Sequence, residues 1–152
     1  MKQLVIIRDG AQNSRHRLSA VGVEQIKHVA KQLAPHLKGP RVHVCASKAL
    51  RAMDSAYVLS AALDGWPGTP RFFQNLWSDA QHQQDNENAL SLIFEGFQGI
   101  DTLLVVTHLA YTRDLPTLFA KRALGKEVPR VPLKKGHARL IDCETKEVIY
   151  LA

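Results

Sequence analysis

Short apolar runs alternate along this chain with longer segments in which apolar residues recur every three or four positions. The runs at residues 2–8 and 102–107 are rich in Val, Ile and Leu and end in a polar residue, and the run at 42–46 contains two Val and is followed by Ser47. Such runs are typical of strands buried on both faces of a sheet. A weaker run at 71–76 predicts a further strand.

Apolar residues at helical spacing predict four helices between these strands. The first follows Ser19, a good N-cap residue, and ends before Pro35. The others are expected from a cap at Ser47 to about residue 63, at 87–98, and at 111–123. Pro116 lies inside the last pattern and predicts either a kink or a later start.

The alternation of strands and helices predicts a parallel sheet. Two closing runs, 137–142 and 148–151, surround a turn-forming segment and predict a hairpin that adds an antiparallel edge. The fold class is therefore α/β: a three-layer α/β/α sandwich with a mostly parallel sheet, formed by one domain over residues 1–152. The segments 11–17, 77–86 and 125–132 are expected to be loops.

Composition narrows the class of protein only a little. The chain of 152 residues is 45% hydrophobic and 22% charged, as is usual for a globular domain. No apolar run has the length of a membrane span, the N-terminus has a strand pattern rather than that of a signal peptide, and Cys45 and Cys143 are best interpreted as reduced thiols. We therefore expect a cytoplasmic protein with no membrane partner.

A net charge of +6 favours anionic ligands without choosing among them. Basic residues are densest at 121–139, a stretch that could bind nucleic acid or protein. A solvated loop is the simpler explanation, so a nucleic-acid partner is not favoured.

Polar side chains follow three of the predicted strands. Arg8 and Asp9 end the first, Ser47 ends the second with Arg51 one helical turn later, and His108 follows the third. The carboxyl ends of parallel strands meet at one edge of a sheet, where two helix N-termini would also lie. These groups could form a phosphate pocket; a structural Arg8–Asp9 ion pair and a hydrogen-bonded loop histidine explain the pattern equally well from the residues alone.

The ordered set of motifs resembles the histidine phosphatase superfamily, also called phosphoglycerate mutase-like. The family's first strand ends in Arg-His-Gly, and later motifs contain Leu-Ser-x-x-Gly-x-x-Gln, Ser-Pro-x-x-Arg-Ala and a strand followed by His. The matching segments here are Ile7-Arg8-Asp9-Gly10, Leu18 to Gln25, Ser47 to Ala52, Val105 to His108 with Arg113 after it, and Gly136 to Leu140. Each motif is weak alone, but their order and spacing cover nearly the whole chain. Its short length is most similar to the small bacterial phosphohistidine phosphatases.

The resemblance implies a mechanism and roles for particular residues. In the family, a histidine after the first strand attacks phosphorus, two arginines and a second histidine hold the phosphoryl oxygens, and a loop carboxylate protonates the leaving group. Arg8, Arg51 and His108 would then bind phosphate. Asp79 would be the acid, ahead of two less suitable loop carboxylates, Asp85 and Glu87.

Asp9 stands where the family has its nucleophilic histidine. Nearby arginines should keep this carboxylate ionised, and an anion about 4 Å from a phosphate oxygen costs roughly 4 kcal/mol at an effective dielectric of about 20. Two further departures are Lys48 in place of proline and Leu109 in place of glycine. Several changes together favour natural divergence over one engineered substitution.

The sequence therefore predicts a divergent phosphatase-like protein that binds a phosphorylated small molecule or phosphoprotein with little or no turnover. The alternative is an active phosphomonoesterase or phosphohistidine phosphatase that uses Asp9 or His16. A weaker alternative is an interaction protein that uses the 121–139 stretch. We expect no cofactor, and a metal site formed by Asp9, His108 and a loop residue such as Asp79 or His82 is not favoured because no spacing signature supports it.

Overall fold

A mixed sheet of six strands organises the molecule, and the computed structural model describes all residues from Met1 to Ala152. The strands are β1 (Gln3–Arg8), β2 (Val42–Ser47), β3 (Arg71–Phe73), β4 (Thr102–Thr107), β5 (Ala138–Asp142) and β6 (Val148–Leu151). Their order across the sheet is β3-β2-β4-β1-β5-β6. The first four pair in parallel, whereas β5 and β6 form an antiparallel edge. The predicted fold class is confirmed.

Four helices cover the two faces of the sheet: α1 (Ala20–Leu33), α2 (Leu50–Ala62), α3 (Asn86–Glu95) and α4 (Leu109–Leu124). Successive side chains of a strand point to opposite faces, so β1 contributes Val5 and Ile7 to the core beneath α1 and α2, and Leu4 and Ile6 to the core beneath α3 and α4. The sheet is thus buried on both sides, which explains why its central strands are continuous apolar runs.

Several element boundaries differ from the prediction. The run at 71–76 is a short strand followed by a 3-10 turn at Gln74–Leu76, and the third helix ends at Glu95 rather than at residue 98. The last helix begins earlier than expected, at Leu109, and accommodates Pro116. No helix combines the length and apolar character needed to cross a membrane.

The two predicted N-caps have different outcomes. Ser19 caps α1, because its Oγ accepts a hydrogen bond from the Gly22 amide at 3.0 Å. The Ser47 cap is wrong: Ala49 occupies the cap position of α2, and Ser47 is the buried last residue of β2. Its hydroxyl is instead directed to the candidate site.

Candidate phosphate site

The ends of the three central parallel strands bring the motif residues to one edge of the sheet. Arg8 pairs in register with Thr107, the residue before His108, and β2 lies on the other side of β4. The Asp9 amide continues this pairing by donating to the Thr107 carbonyl at 3.0 Å. Helix α4 begins directly after His108, which occupies its N-cap position.

Asp9 lies at the floor of the site, where it is only 1% exposed, and its carboxylate contacts three cationic or polar side chains. Arg51 Nε donates to Oδ2 at 2.9 Å, and His108 Nδ1 lies 3.2 Å from the same oxygen. Lys135 Nζ lies 3.4 Å from Oδ1. Burial alone would raise the pKa of Asp9, but the His108 hydrogen bond and the positive charges of His108, Lys135 and Arg51 outweigh it and lower the pKa. Asp9 is therefore a carboxylate at neutral pH.

The contacts of His108 define which of its ring nitrogens carries a proton. An ionised carboxylate can only accept, so the contact with Asp9 assigns the proton to Nδ1, although Arg51 Nη2, which can only donate, also lies 3.3 Å from this nitrogen. The second nitrogen, Nε2, lies 2.8 Å from Ser47 Oγ. Both nitrogens are thus bonded within the protein, in a chain that runs from Asp9 through His108 to Ser47. Ser47 is fully buried, so this chain orients the histidine and leaves no exposed hydroxyl for reaction.

Arg8 approaches the site from the end of β1. Its Nη1 donates to the Leu133 carbonyl at 2.9 Å, whereas its buried Nε has no hydrogen-bond partner. A buried donor without a partner is unfavourable by about 1–3 kcal/mol, so an anion that accepted from it would be stabilised.

Lys135 also belongs to this site, although the sequence assigned it only to the basic 121–139 stretch. Its side chain is 30% exposed and contacts Asp9. Burial lowers the pKa of Lys135, and the charges of Arg8 and Arg51 lower it further, against the opposing effect of Asp9. The position could have been found from topology: β5 is antiparallel to β1, so the residues before β5 lie at the edge where β1 ends.

These groups line a cavity of about 420 Å³. Only two of its 13 lining residues are hydrophobic, so the cavity suits a polar ligand. The wall contains Arg8, Asp9, Arg51, Ser78, Asp79, His82, Gln83, Gln84, His108, Leu109, Ala110, Arg113 and Lys135.

The loop 77–84 forms the rim of the cavity. Asp79 accepts hydrogen bonds from His82 Nδ1 at 2.8 Å and from Trp77 Nε1 at 2.8 Å, and also from two backbone amides. His82 stacks on Trp77 with ring centroids 3.8 Å apart. Burial alone would raise the pKa of Asp79, but the His82 hydrogen bond and the other donors lower it. Asp79 lines the cavity, yet it is ionised at neutral pH and holds a proton poorly; its role as the acid stays a prediction.

The other residues considered from sequence lie outside this cavity. Asp85 caps α3 by accepting from the Asn88 amide at 3.0 Å, and Glu87 pairs with Arg122 at 2.9 Å. His16 lines a neighbouring cavity that shares Arg51 with the site. No three His, Cys, Asp or Glu side chains are grouped so that they could hold a metal ion.

Arg113 does not reach the Asp9 cluster as a free cation. It pairs with the buried Asp114 at 2.7 Å, as does Arg130 at 3.3 Å. Gln84 donates to the same carboxylate at 2.7 Å, which attaches the rim loop to α4.

Comparison with known proteins identifies the fold. No protein-family profile matches the sequence, and no curated protein matches it. Among solved structures, a protein from Agrobacterium tumefaciens assigned as the phosphohistidine phosphatase SixA has a TM-score of 0.69 at 16% identity, covering 99% of this chain and 98% of its own. The protein histidine phosphatase SixA complexed with tungstate has a TM-score of 0.68 at 16% identity, covering 99% and 94% of the two chains.

A phosphoserine phosphatase from Entamoeba histolytica, solved as a histidine-to-alanine variant with phosphoserine, has a TM-score of 0.63 at 13% identity, covering 100% of this chain and 96% of its own. The chain therefore has the phosphoglycerate mutase-like fold of the histidine phosphatases over its whole length. At these identities the likeness establishes the fold alone.

Proposed function

We propose that this protein binds a phosphorylated small molecule or phosphoprotein in the cavity above Asp9 and hydrolyses it slowly or not at all. The observation that carries the proposal is the imbalance of charge at the floor. Even without a charge on His108, Arg8, Arg51 and Lys135 supply three positive charges against the single negative charge of Asp9. Two positive charges are left for a ligand, which matches a phosphoryl dianion.

The donors available to a phosphate also support binding. Arg8 Nε is buried without a partner, and Lys135 uses only one contact on Asp9. Guanidinium groups suit phosphate because their planar N–H groups match pairs of oxygens. The structural relatives include one complexed with tungstate and one with phosphoserine, which fits an oxyanion site in this fold.

Slow turnover follows from the state of Asp9. Its oxygens are engaged by Arg51 and His108 on one side and by Lys135 on the other. To attack phosphorus, the carboxylate would have to leave these partners and approach another anion. Carboxylates do accept phosphoryl groups in some enzymes, so Asp9-dependent hydrolysis is the second candidate. That candidate requires an ionised carboxylate, which Asp9 is, but the contacts that lower its pKa also make it a weaker nucleophile.

The basic stretch 121–139 gives less support to nucleic-acid binding. Lys121 and Arg130 contact carboxylates of this chain, and Lys135 is directed to Asp9. The stretch is therefore not a uniform face of free cations. A cytoplasmic location stays a prediction from the sequence.

Calorimetry with inorganic phosphate and a hydrolysis assay with p-nitrophenyl phosphate test the proposal together. We expect the wild-type protein to bind phosphate, Arg51→Gln to bind it at least 10-fold more weakly, and Arg122→Gln, which removes an exposed arginine paired with Glu87, to bind it unchanged. Wild-type hydrolysis should be negligible, and Asp9→His should gain measurable activity. Robust wild-type turnover that depends on Arg51 would overturn the proposal. If that turnover were lost in Asp9→Ala, the result would favour Asp9-dependent hydrolysis, the second candidate.

A further inference from the structure

The rim of the cavity contains a buried hydroxyl that no group of the protein satisfies. Ser78 is only 9% exposed, lines the cavity, and its Oγ has no hydrogen-bond partner. Buried hydroxyls normally have a partner, because burying one without a bond is unfavourable. Because the Oγ atom itself has almost no accessible surface, a ligand in the cavity that Ser78 lines would supply this partner once the serine side chain rotates towards it.

His82 lies four residues further along the same loop and is held in a fixed orientation. Its Nδ1 is bonded to Asp79 at 2.8 Å, and its ring stacks on Trp77. Nε2, the other ring nitrogen, has no hydrogen bond within the protein, and the side chain lines the same cavity as Ser78 as well as two neighbouring cavities. The imidazole is therefore ordered in the absence of a ligand, and less conformational entropy is lost when a ligand binds to it.

Two kinds of residue line the cavity. The cations that suit a phosphate surround Asp9 and His108, which are buried at the floor. Ser78 and His82 belong to the loop that forms the rim. With the phosphate against these cations, the organic group of a phosphomonoester would contact the rest of the cavity wall, which includes Ser78 and His82.

We propose that Ser78 and His82 form a subsite for the polar organic group of a phosphomonoester. This inference rests on the proposed function, because it requires the phosphate to lie against Arg8, Arg51 and Lys135. Ser78 Oγ donates to or accepts from the organic group, and His82 Nε2 bonds to it or to the bridging oxygen. The ligand class is a small phosphomonoester with hydroxyl, amino or carboxyl groups, since only two residues of the cavity wall are hydrophobic.

Calorimetry with three probes tests this assignment: inorganic phosphate, which has no organic group; phosphoserine, whose organic group is polar; and phenyl phosphate, whose organic group is apolar. The wild-type protein should prefer phosphoserine over both of the others. Ser78→Ala should weaken phosphoserine binding by about 3- to 10-fold, the range of one hydrogen bond, and leave inorganic phosphate unchanged. His82→Ala should have a similar effect, partly restored in His82→Gln, whose amide nitrogen can replace Nε2.

Ser91→Ala is the matched control, because Ser91 is an exposed serine of α3 outside the cavity. Circular dichroism establishes that each variant is folded. If inorganic phosphate does not bind the wild-type protein, the proposed function itself fails. If phosphate binds but Ser78→Ala and His82→Ala leave phosphoserine affinity unchanged, or weaken phosphate equally, the subsite is refuted while the phosphate site stands.

Discussion

Replacing Asp9 by Asn removes one negative charge from the floor of the cavity with little change of shape. A phosphate oxygen that accepts from Arg51 would lie about 4–5 Å from Asp9, given the 2.9 Å contact between Arg51 Nε and Oδ2. At an effective dielectric of about 20, the repulsion between two unit charges at that distance is about 3–4 kcal/mol. Because a factor of ten in affinity is about 1.4 kcal/mol, Asp9→Asn should bind inorganic phosphate at least about 100-fold more tightly than the wild-type protein.

The same substitution should destabilise the protein when no phosphate is present. Removing one partner of a buried ion pair typically costs about 3–5 kcal/mol, and the partial exposure of Lys135 at 30% places this site at the lower end, near 3 kcal/mol. Phosphate at 100 times its Kd would restore about 2.7 kcal/mol. For a domain of this size we expect the Tm of Asp9→Asn to rise by roughly 5–10 °C with phosphate.

The pH dependence has a definite sign. The pKa of Asp9 is lowered in the folded state, so its contribution to stability is present above the unfolded-state value and is lost as pH falls through the folded-state value. The difference in unfolding free energy between wild type and Asp9→Asn should therefore be constant near neutrality and shrink below about pH 4.

Calorimetry and thermal unfolding, with and without phosphate, measure both effects. The control is Asp54→Asn, which removes a carboxylate bonded to Arg17 at 2.6 Å outside the cavity and should leave phosphate affinity unchanged. Equal phosphate affinity in wild type and Asp9→Asn would refute the reasoning, because it would mean that the negative charge of Asp9 does not repel the bound phosphate.

Two further predictions concern the frame of the site. Asp114→Asn should lower the unfolding free energy by about 3 kcal/mol in urea denaturation, because the carboxylate is buried between two arginines, whereas Glu87→Gln in an exposed pair should change it by less than about 1 kcal/mol. A similar loss from both would contradict this account. Gly22→Ala should destabilise by about 1–3 kcal/mol, because its Cβ would lie 2.3 Å from the Ala11 carbonyl oxygen. An unchanged urea midpoint would contradict this prediction, because it would show that the loop before α1 shifts to accommodate the added methyl group without loss of stability.

The strands and their convergence at one edge were predictable because the signals are local. Each central strand is an apolar run, and parallel pairing then fixes that Arg8, Ser47 and His108 lie together. The rim was not predictable in the same way. His82 and Asp79 lie in a loop without periodicity, and their pairing depends on a tight turn and on stacking against Trp77.

Ser47 shows how a correct local preference can be overridden by tertiary contacts. Serine before a helix is a reasonable N-cap, and Ser47 Oγ does accept from the Ala49 amide at 3.1 Å. The helix nevertheless begins later, and the same hydroxyl bonds to His108 Nε2. The sequence contains no signal for that second bond, because it joins residues 61 positions apart.

The position of Asp9 changes what the cavity requires of a ligand. With a carboxylate at the floor, Arg51, His108 and Lys135 already have a negative partner, so the cluster is stable when the cavity is empty. The electrostatic gain from a simple anion is correspondingly reduced, since Asp9 opposes it. Contacts beyond the phosphate then decide which ligand binds, and Ser78 and His82 are the rim groups with unused hydrogen-bonding capacity. In Asp9→Asn, inorganic phosphate should therefore gain affinity while the preference for phosphoserine over phosphate stays the same, because we assign that preference to Ser78 and His82 rather than to the charge of Asp9.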